Sequence, residues 1–481
     1  MRQPFVDFGR RAWNAVSLVA VMTWALGAEA AMAGPALRAG AAVADISPRE
    51  FPFNMPGLFT TNLAESMHDP LHARALVLAD DTTTLALVVV DHLHVDRDIA
   101  DEAKQQAARE SGIASNKIFL CSTHTHTGPP TGGPTAAAYR KILVVGIVKA
   151  IVGAHGALRP AELAANAAPL PEEVFNRRWF LKPGKMPRNP FGKVDQVKMN
   201  PSADALDRPA GPTDPDLSIL DVREAASRQP LALFASYSLH YVGHVPRAMA
   251  SADYYGEFAR LMPSRVNAGS NFVALLANGT SGNINNIPFG VGRPPREPFE
   301  QIRIVAGKAA DTAWRARSNI TNYQAAPRLG LLQREVVLHY RRPTAEQVEY
   351  ARTVLATKDP AERAKLPALA QPYAERVLAL TKRSETVSVP IQVVRIGDLA
   401  ICGLPFEAFV EIGLDLKQRS PFAHTIVIGL ANGSYGYLPT PEQHRLGGYE
   451  TWIGTSRVQE DASVILSTHL LEMLAALAKD A

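Results

Sequence analysis

Two histidines that stand two residues apart carry the clearest chemical signal in this sequence. His124 and His126 lie in the segment 121–129, CSTHTHTGP, where an apolar run passes into a Gly-Pro loop. In an extended backbone, residues i and i+2 point to the same side, so we expect both imidazoles to face one cavity. Imidazoles bind transition metals and exchange protons near neutral pH. The pair therefore predicts a metal or catalytic site, with a surface or capping role as the alternative.

Further polar side chains follow other apolar runs in the same way. His240 ends such a run, and Ser281 lies in a loop of small residues directly after the next one. Glu407 follows a Gly-Leu-Pro turn after a third run, and Tyr437 lies in the segment 432–437, NGSYGY. Loops at the ends of strands commonly carry ligands and catalytic groups. These residues are therefore candidates for one shared site with the histidine pair.

The elements that must position these groups alternate between strands and helices. Apolar runs predict strands at 71–78, 84–91, 117–121, 231–240, 271–278, 329–340, 391–402 and 424–430. Helical periodicity predicts helices at 98–111, 136–154, 299–317, 406–417 and 458–478, with a helix-rich stretch at 344–384. Residues 182–215 show no periodicity and predict a long loop. This pattern predicts an α/β fold of layered mixed β-sheets flanked by helices, forming a single catalytic domain.

The first 33 residues are typical of an export signal. Arg10 and Arg11 form a basic segment, residues 15–26 are apolar, and Ala31 and Ala33 form a small-residue cleavage pattern. The prediction is a signal peptide at 1–33 and a secreted or periplasmic domain at 34–481. An uncleaved anchor and a twin-arginine signal stay open as alternatives. The net charge of only +4, without a long basic run, argues against nucleic acid as a partner.

The sequence contains only two cysteines, Cys121 and Cys402, each a few residues before a candidate site residue. Two cysteines build neither a disulfide framework nor a cysteine-rich metal site. We expect buried free thiols on core strands. A disulfide stays open as an alternative, because an exported protein could pair them if the strands were neighbours.

Several of these motifs, taken in order, resemble those of the neutral (non-lysosomal) ceramidases, a family of zinc amidases. The segment 123–129 is similar to the family's Thr-His-Thr-His-Ser-Gly-Pro, and Asn176-Arg177 to its Asn-Arg-Ser. Segments 237–240 and 405–407 resemble its aromatic-Ala-Val-His and Pro-Gly-Glu motifs, and 432–437 with Tyr449-Glu450 its tyrosine-rich segment. The resemblance implies that the chain corresponds to the family's N-terminal catalytic domain.

The resemblance implies a zinc ion, Zn2+, held by His124, His240, Glu407 and Tyr437. The residue types fit independently, because zinc binds imidazole nitrogen and carboxylate oxygen in hydrolytic sites. The implied reaction is attack by zinc-bound hydroxide on a linear amide, in ceramide or another N-acyl lipid amide. Such a substrate implies peripheral membrane contact.

Other site roles are also implied by the resemblance. His126 is expected to carry the proton from the attacking water to the leaving amine. Tyr449 and Arg177 are expected to stabilise the oxyanion or the polar head of the substrate. Ser281 and Asn283, in a loop of small residues, are expected to bind substrate.

Alternatives remain at several positions. Glu407 is predicted in the first turn of a helix, where a carboxylate is stabilised without a metal, and Glu411 is the substitute ligand. His244 could replace His240. Ser281 could instead be the nucleophile of a metal-independent serine amidase or esterase, working with His126 or His240, or the chain could be a non-catalytic secreted binding protein.

Two departures from the family motifs leave the substrate open between ceramide and another acyl amide. The loop 279–285 lacks the acid and the proline of the family's Gly-Asp-Val-Ser-Pro-Asn, and Phe406 replaces the glycine before the glutamate. Asp91, His92 and His94 form a second polar cluster, for which we predict structural roles.

Overall fold

The structure is a computed structural model that describes Met1 and residues 36–57, 60–133 and 136–479. The chain divides into two units, Met1–Gly34 and Pro35–Ala481, and the second carries the elements described below. Apart from Met1, the predicted signal peptide at 1–33 lies outside the described residues.

The strands are β1 Arg38–Asp45, β2 Phe53–Asn54, β3 Leu63–Ala64, β4 Ser66–Met67, β5 His72–Ala79, β6 Thr84–Val90, β7 Ile118–Ser122, β8 Arg159–Pro169, β9 Phe175–Asn176, β10 Arg178–Leu181, β11 Val197–Met199, β12 Leu206–Pro209, β13 Asp216–Glu224, β14 Pro230–Tyr237, β15 Met249–Ala250, β16 Val273–Asn278, β17 Ile284–Asn285, β18 Leu329–His339, β19 Thr386–Ile396, β20 Leu399–Gly403, β21 Glu407–Ala408, β22 His424–Ile428 and β23 Tyr437–Leu438. The helices are α1 Arg97–Ser111, α2 Ala137–Gly156, α3 Asp253–Arg265, α4 Glu300–Ser318, α5 Ala345–Ala356, α6 Pro360–Arg363, α7 Ala370–Leu380, α8 Val410–Arg419, α9 Pro441–Leu446 and α10 Ala462–Lys479.

Two sheets form the centre of the molecule. The larger has the strand order β16-β14-β13-β8-β1-β5-β6-β7, and the smaller has the order β18-β19-β20-β22. Parallel pairs occur at β6/β7, β14/β16 and β20/β22, and the other neighbours are antiparallel. Both sheets are therefore mixed, as predicted.

The alternation of side chains along the strands produces the layers. In β6, Leu85 and Leu87 join the core shared by the two sheets, whereas Ala86 and Val88 face α1 and α2. Helices α3 and α4 cover the β13, β14 and β16 part of the large sheet, and α8 and α10 cover the small sheet. The arrangement is helix–sheet–sheet–helix, which confirms the predicted α/β class.

The candidate site residues follow the carboxyl ends of five strands. His124 and His126 come after β7, His240 after β14, and Ser281 after β16. Glu407 follows β20, and Tyr437 follows β22. The large sheet coils so that its edge strand β16 comes close to β5, β6 and β7. Loops from distant parts of the sequence therefore meet.

Some predicted elements differ from the observed ones. The single strand predicted at 391–402 is a hairpin of β19 and β20, because the chain reverses at Gly397, whose φ is 58°. The helix predicted at 406–417 begins only at Val410, and Glu407 forms a short parallel bridge with Tyr437 instead. The loop predicted at 182–215 contains β11 and β12, which pair with β10.

Helix α10 is the one helix in the described ranges that is long and apolar enough to cross a membrane. Length and composition alone are weak evidence, since core helices share them. Leu466, Leu470 and Leu474 of this helix are buried in the core against the small sheet. We therefore assign α10 to the core.

Cys121 and Cys402 are both buried free thiols, as predicted. They belong to different hydrophobic clusters, one between the two sheets and the other on the outer face of the small sheet. Burial raises the pKa of both thiols, that of Cys402 to about 12. Neither is therefore an activated nucleophile.

Candidate metal centre

Three imidazoles converge at the point where the loops meet. The Nε2 atom of His124 lies 3.0 Å from Nε2 of His240 and 3.0 Å from Nε2 of His126. The ligand atoms of all three histidines lie within 4.8 Å of one another. His124 has a φ of 72°, so the backbone there is left-handed rather than extended. The expected convergence of the pair is present, but a turn in the chain produces it.

Backbone carbonyl groups fix the tautomers of two of these rings. Nδ1 of His124 lies 2.8 Å from the carbonyl oxygen of Leu93, and Nδ1 of His240 lies 3.0 Å from that of Ser281. Because a carbonyl only accepts, each Nδ1 must carry the proton, which leaves a lone pair on each Nε2. Two lone pairs that face each other at 3.0 Å repel unless a proton or a metal ion lies between them, so the pair is suited to bind a metal.

Glu407 completes a compact ligand set. Its Oε2 atom lies 3.3 Å from Nε2 of His124 and 3.8 Å from Nε2 of His240. Ligands about 2.0–2.1 Å from a tetrahedral zinc ion lie roughly 3.3 Å apart. The observed separations of 3.0, 3.3 and 3.8 Å are close to that value, so these residues fit the ion.

Local pairing explains why Glu407 faces the histidines. Its backbone N–H donates to the carbonyl of Gly436 at 3.0 Å, and the β21–β23 bridge sets it opposite Tyr437. Tyr437 is buried, and its hydroxyl accepts a hydrogen bond from Nη2 of Arg177 at 3.0 Å. The fourth predicted ligand therefore borders the same cluster.

Arg177 is itself held by a buried carboxylate. Its Nε donates to Oε1 of Glu450 at 2.9 Å, and its Nη2 also donates to the carbonyl of Gly282 at 2.7 Å. The neighbouring Arg178 donates to the other oxygen of Glu450 at 2.8 Å. Glu450 thus pairs with two buried arginines, one through each oxygen, and fixes Arg177 against Tyr437.

Burial sets the ionisation of the cluster. It lowers the pKa of His126 and of His240 well below the usual value, and repulsion from the neighbouring His124 ring, were it protonated, and from Arg177 adds to the effect of burial. Burial opposes the ionisation of Glu407, but His124, Tyr437 and Arg177 outweigh it and lower its pKa. The neutral rings and ionised carboxylate are the forms that bind metals.

His126 is held by ring stacking. Its imidazole lies on the ring of Tyr241, with 3.7 Å between centroids and an 18° angle between planes. Unlike the other two histidines, it makes no contact within 4.0 Å of the Glu407 carboxylate in the described structure. His126 therefore lies beside the cluster of His124, His240 and Glu407 rather than within it.

The predicted substrate-binding residues occupy supporting positions. Ser281 is buried, and its Oγ lies 3.3 Å from Nδ1 of His240, which its own carbonyl already engages. Asn283 accepts from the backbone N–H of Val410 and donates to Glu411, both at 2.9 Å. Their substrate-binding roles stay predictions. Their contacts connect them to the placement of His240 and α8.

The two alternative ligands, Glu411 and His244, lie outside the histidine cluster. Glu411 accepts from Asn283 and from Gln443, whose Nε2 is 3.0 Å away, and it does not contact the histidines. His244 borders a neighbouring cavity and does not belong to the three-histidine group. The geometry favours Glu407 and His240 over both.

The second polar cluster is largely structural, as predicted. Asp91 accepts from Nη1 of Arg74 at 2.6 Å, and both side chains are buried. The ring nitrogens of His92 lie 2.7 and 2.9 Å from the carbonyls of His94 and Pro129. His94 borders the cavity beside His124, where burial lowers its pKa to about 4.

Three cavities meet at Tyr449. One of 360 Å³ borders His124, His126 and Glu407, and another of 290 Å³ borders His126 and His240. The third, of 490 Å³, is bordered by Met186, Pro187, Val197, Met199, Leu369 and Trp452, among others. A mainly apolar chamber therefore lies next to the histidine cluster.

Two residues of the site, Glu450 and Tyr241, were not predicted from the sequence. Glu450 directly follows Tyr449 in the tyrosine-rich segment. It is completely buried and accepts hydrogen bonds from Arg177 and Arg178. Tyr241 directly follows His240, and its stacking on His126 depends on a loop contact over 100 residues away in sequence. For both residues, the one available sequence signal was adjacency to a predicted site residue, Tyr449 for Glu450 and His240 for Tyr241.

Comparison with known proteins places this site in context. Residues 37–287, just over half of the chain, match the family model for neutral/alkaline non-lysosomal ceramidase, N-terminal. A neutral ceramidase from Mycobacterium tuberculosis (strain ATCC 25618 / H37Rv) is 22% identical over 496 residues, which cover 86% of this chain and 73% of the relative.

Solved structures show the same fold. Neutral ceramidase from Pseudomonas aeruginosa aligns with a TM-score of 0.69 and 18% identity, covering 93% of this chain and 75% of that one. A ceramidase complexed with C2 aligns with a TM-score of 0.68 and 17% identity, covering 93% of this chain and 76% of that one. The layered architecture is therefore shared with solved ceramidases.

Proposed function

Because the chain belongs to the neutral/alkaline non-lysosomal ceramidase family, we propose that it is a zinc-dependent hydrolase that cleaves the amide bond of an N-acyl lipid. The observation that carries this proposal is the convergence of the Nε2 atoms of His124 and His240 on Oε2 of Glu407, within 3.0–3.8 Å. Ceramide is the substrate class that the names of the relatives indicate.

The ligand set proposed for zinc is His124, His240, Glu407 and Tyr437. When bound, zinc supplies Lewis acidity, which polarises a carbonyl and brings the pKa of water towards neutrality. The protein contributes neutral rings, fixed by the carbonyls of Leu93 and Ser281. Such hydrogen bonds orient the ligands and raise their basicity.

His126 is the proposed proton carrier. Its Nε2 faces the cluster 3.0 Å from Nε2 of His124, and stacking on Tyr241 fixes the ring plane. From this position it can take a proton from the attacking water and deliver it to the leaving nitrogen.

Tyr449 and Arg177 are proposed to stabilise charge on the carbonyl oxygen. Tyr449 borders all three cavities, and its ring packs edge-on against Tyr437 with 5.8 Å between centroids. Arg177 borders the 290 Å³ cavity while Glu450 holds its Nε. Fixed donors in a buried site stabilise a developing oxyanion without reorganising.

The apolar chamber is the proposed site of the acyl chain. Its volume of 490 Å³ lies within the usual range for ligand sites, and it reaches the cluster at Tyr449. An acyl lipid substrate also implies transient contact with a membrane surface. We retain export to a secreted or periplasmic location as part of the proposal, on the basis of the sequence of residues 1–33.

Metal analysis combined with hydrolysis of an N-acyl amide panel, including ceramide, tests this function. We expect about one zinc per chain and activity that a chelator abolishes and zinc restores. His124→Ala should lose both metal and activity, whereas His339→Ala, an exposed histidine, should keep both. Activity that persists without metal would contradict the proposal, as would labelling of Ser281 by a serine-directed phosphonate. A zinc-loaded but inactive protein would indicate a binding function.

A further inference from the structure

The 360 Å³ cavity beside His124 has a strongly cationic wall. Arg376, Arg383 and Arg457 all border it, together with His94. Among the described residues that border it, Glu407, a proposed metal ligand, is the only acidic one. A bound metal would therefore leave the cavity with three uncompensated guanidinium groups.

None of the three arginines has a carboxylate within ion-pair distance in the described part of the chain. Arg376 and Arg383 rest on aromatic rings instead, 4.7 Å from the centroid of Tyr373 and 4.9 Å from that of Tyr340. Stacking of this kind orients a guanidinium group and leaves its hydrogen-bond donors available.

Two other arginines of the neighbouring cavity behave differently. Arg177 is paired with Glu450 at 2.9 Å, and Arg293 lies 3.6 Å from Glu173. These two are buried or half-buried, and such cations usually have partners because desolvation is costly. Arg376, which borders both cavities, and Arg383 are exposed to solvent, and Arg457 is half-buried, so this set remains hydrated without a carboxylate and its donors are open to a ligand.

Helix geometry and two glycines build this wall. Arg376, Ala379, Leu380 and Arg383 recur at intervals of three and four residues, so they lie on one side of α7 and its continuation. A Cβ atom at Gly436 would lie only 2.5 Å from the carbonyl oxygen of Thr455, so this glycine allows the segment before Arg457 to pack closely. One at Gly454 would lie 3.2 Å from Cβ of Arg376, so that glycine leaves room for the arginine itself.

We propose that this cavity binds an anionic head group on the amine side of the substrate, and that the substrate is a single-chain N-acyl amino acid. The inference rests on the proposed amide hydrolysis. The acyl chain would occupy the apolar chamber, the amide would lie at Tyr449 and His126, and the carboxylate would meet the three arginines. Hydrolysis would add water across the amide C–N bond and release a fatty acid and an amino acid.

A matched set of lipids tests this assignment with the purified full chain. The set consists of N-palmitoylglycine, the uncharged N-palmitoylethanolamine, its O-phosphate, and ceramide. We expect kcat/KM for the glycine conjugate to exceed that for the ethanolamide by roughly 10-fold or more, the size of one or two charge-assisted hydrogen bonds. The preference should weaken as ionic strength rises.

Arg383→Gln and Arg376→Gln should each reduce the ratio of the two kcat/KM values, mainly through KM, and Arg383→Lys should restore part of it. Lys382→Gln is the matched control, because it removes the same charge one residue away and should leave the ratio unchanged. Equal turnover of the charged and uncharged conjugates would overturn the inference while the proposed amidase function stands. Preference for the phosphate ester would overturn the carboxylate assignment.

Equilibrium binding separates this inference from the proposed function. With chelator present, N-palmitoylglycine should bind more tightly than the ethanolamide, and Arg383→Gln should remove the difference. This preference is expected even if no panel member is hydrolysed. Equal binding of both lipids by the unaltered protein would refute the anionic subsite directly.

Discussion

Arg177 and Glu450 form a buried ion pair in which Nε lies 2.9 Å from Oε1. The other oxygen of Glu450 pairs with Arg178, and Arg177 in turn donates to the hydroxyl of Tyr437. A single carboxylate thus supports one wall of the proposed metal centre. Its contact with Arg177 connects it to the site, although it borders none of the three cavities described above.

Replacement of that carboxylate should be costly. Glu450→Gln leaves two buried guanidinium groups without a counter-charge, so we expect a loss of about 3–5 kcal/mol in the free energy of unfolding. Urea denaturation measures this loss. Glu460→Gln, which removes the exposed partner of Arg341, should cost no more than about 1 kcal/mol. Similar losses for both variants would contradict the structural role of Glu450.

The two candidate glutamates should differ in metal binding. Glu407→Gln should weaken zinc affinity by at least roughly 10-fold, because it removes an ionised ligand. Glu411→Gln should keep the metal stoichiometry, since Glu411 bonds only to Asn283 and Gln443 among the side chains described here. Competition with a chromogenic chelator measures both. The reverse order would assign the ligand to Glu411.

Ser281 should be dispensable as a nucleophile. Its backbone carbonyl, which any residue retains, lies 3.0 Å from Nδ1 of His240. Ser281→Ala should therefore reduce kcat by no more than roughly 10-fold, whereas removal of a true serine nucleophile costs 10⁴-fold or more as an order of magnitude. Initial rates on the best panel substrate decide between these outcomes.

Acid should destabilise the fold through His444. Burial, reinforced by the charges of Arg341 and Arg178, lowers the pKa of His444 to about 3. Because the unfolded chain binds this proton at higher pH, the stabilisation is complete above the unfolded pKa and is lost as pH falls towards 3. The slope should approach about 1.4 kcal/mol per pH unit in that window.

Unfolding in urea between pH 4 and pH 7 measures that slope. His444→Gln should flatten the dependence, whereas His339→Gln, at an exposed position, should leave it unchanged. An unchanged slope in the His444 variant would show that other groups determine acid sensitivity.

Both thiols should resist labelling in the native protein. Cys121 and Cys402 are completely buried, and burial raises the pKa of each. A thiol reagent should modify neither in buffer and both in denaturant without reductant. Recovery of no thiols from the denatured chain would indicate a disulfide instead.

The sequence predicted which residues come together at the candidate site better than it predicted their local backbone conformation. Apolar runs located β7, β14, β16 and β22, because strands that are buried on both faces appear as continuous apolar segments. Glu407 was placed in a helix because the residues after it are helical. Its actual conformation depends on pairing with the segment around Tyr437, which is 30 positions away and invisible to local periodicity.

Other features of the structure were not predicted from the sequence because they too depend on contacts between distant parts of the chain. β8 was missed because its sequence, RPAELAANAAP, is alanine-rich and shows little alternation, and it forms a strand through its neighbours β1 and β13. The left-handed backbone of His124 also depends on tertiary context, since its N–H bonds to the carbonyl of His92. The cationic wall combines Arg376 and Arg383, in and just after α7, with Arg457 from a distant loop, so no local sequence motif predicts it.

The central claim is that His124, His240 and Glu407 hold one zinc ion. An anomalous diffraction map collected at the zinc edge from crystals of the protein as purified tests it most directly. We expect a single strong peak about 2.0–2.2 Å from both Nε2 atoms and from a carboxylate oxygen of Glu407. The absence of any peak there after zinc addition, or a peak bound by other residues, would contradict it.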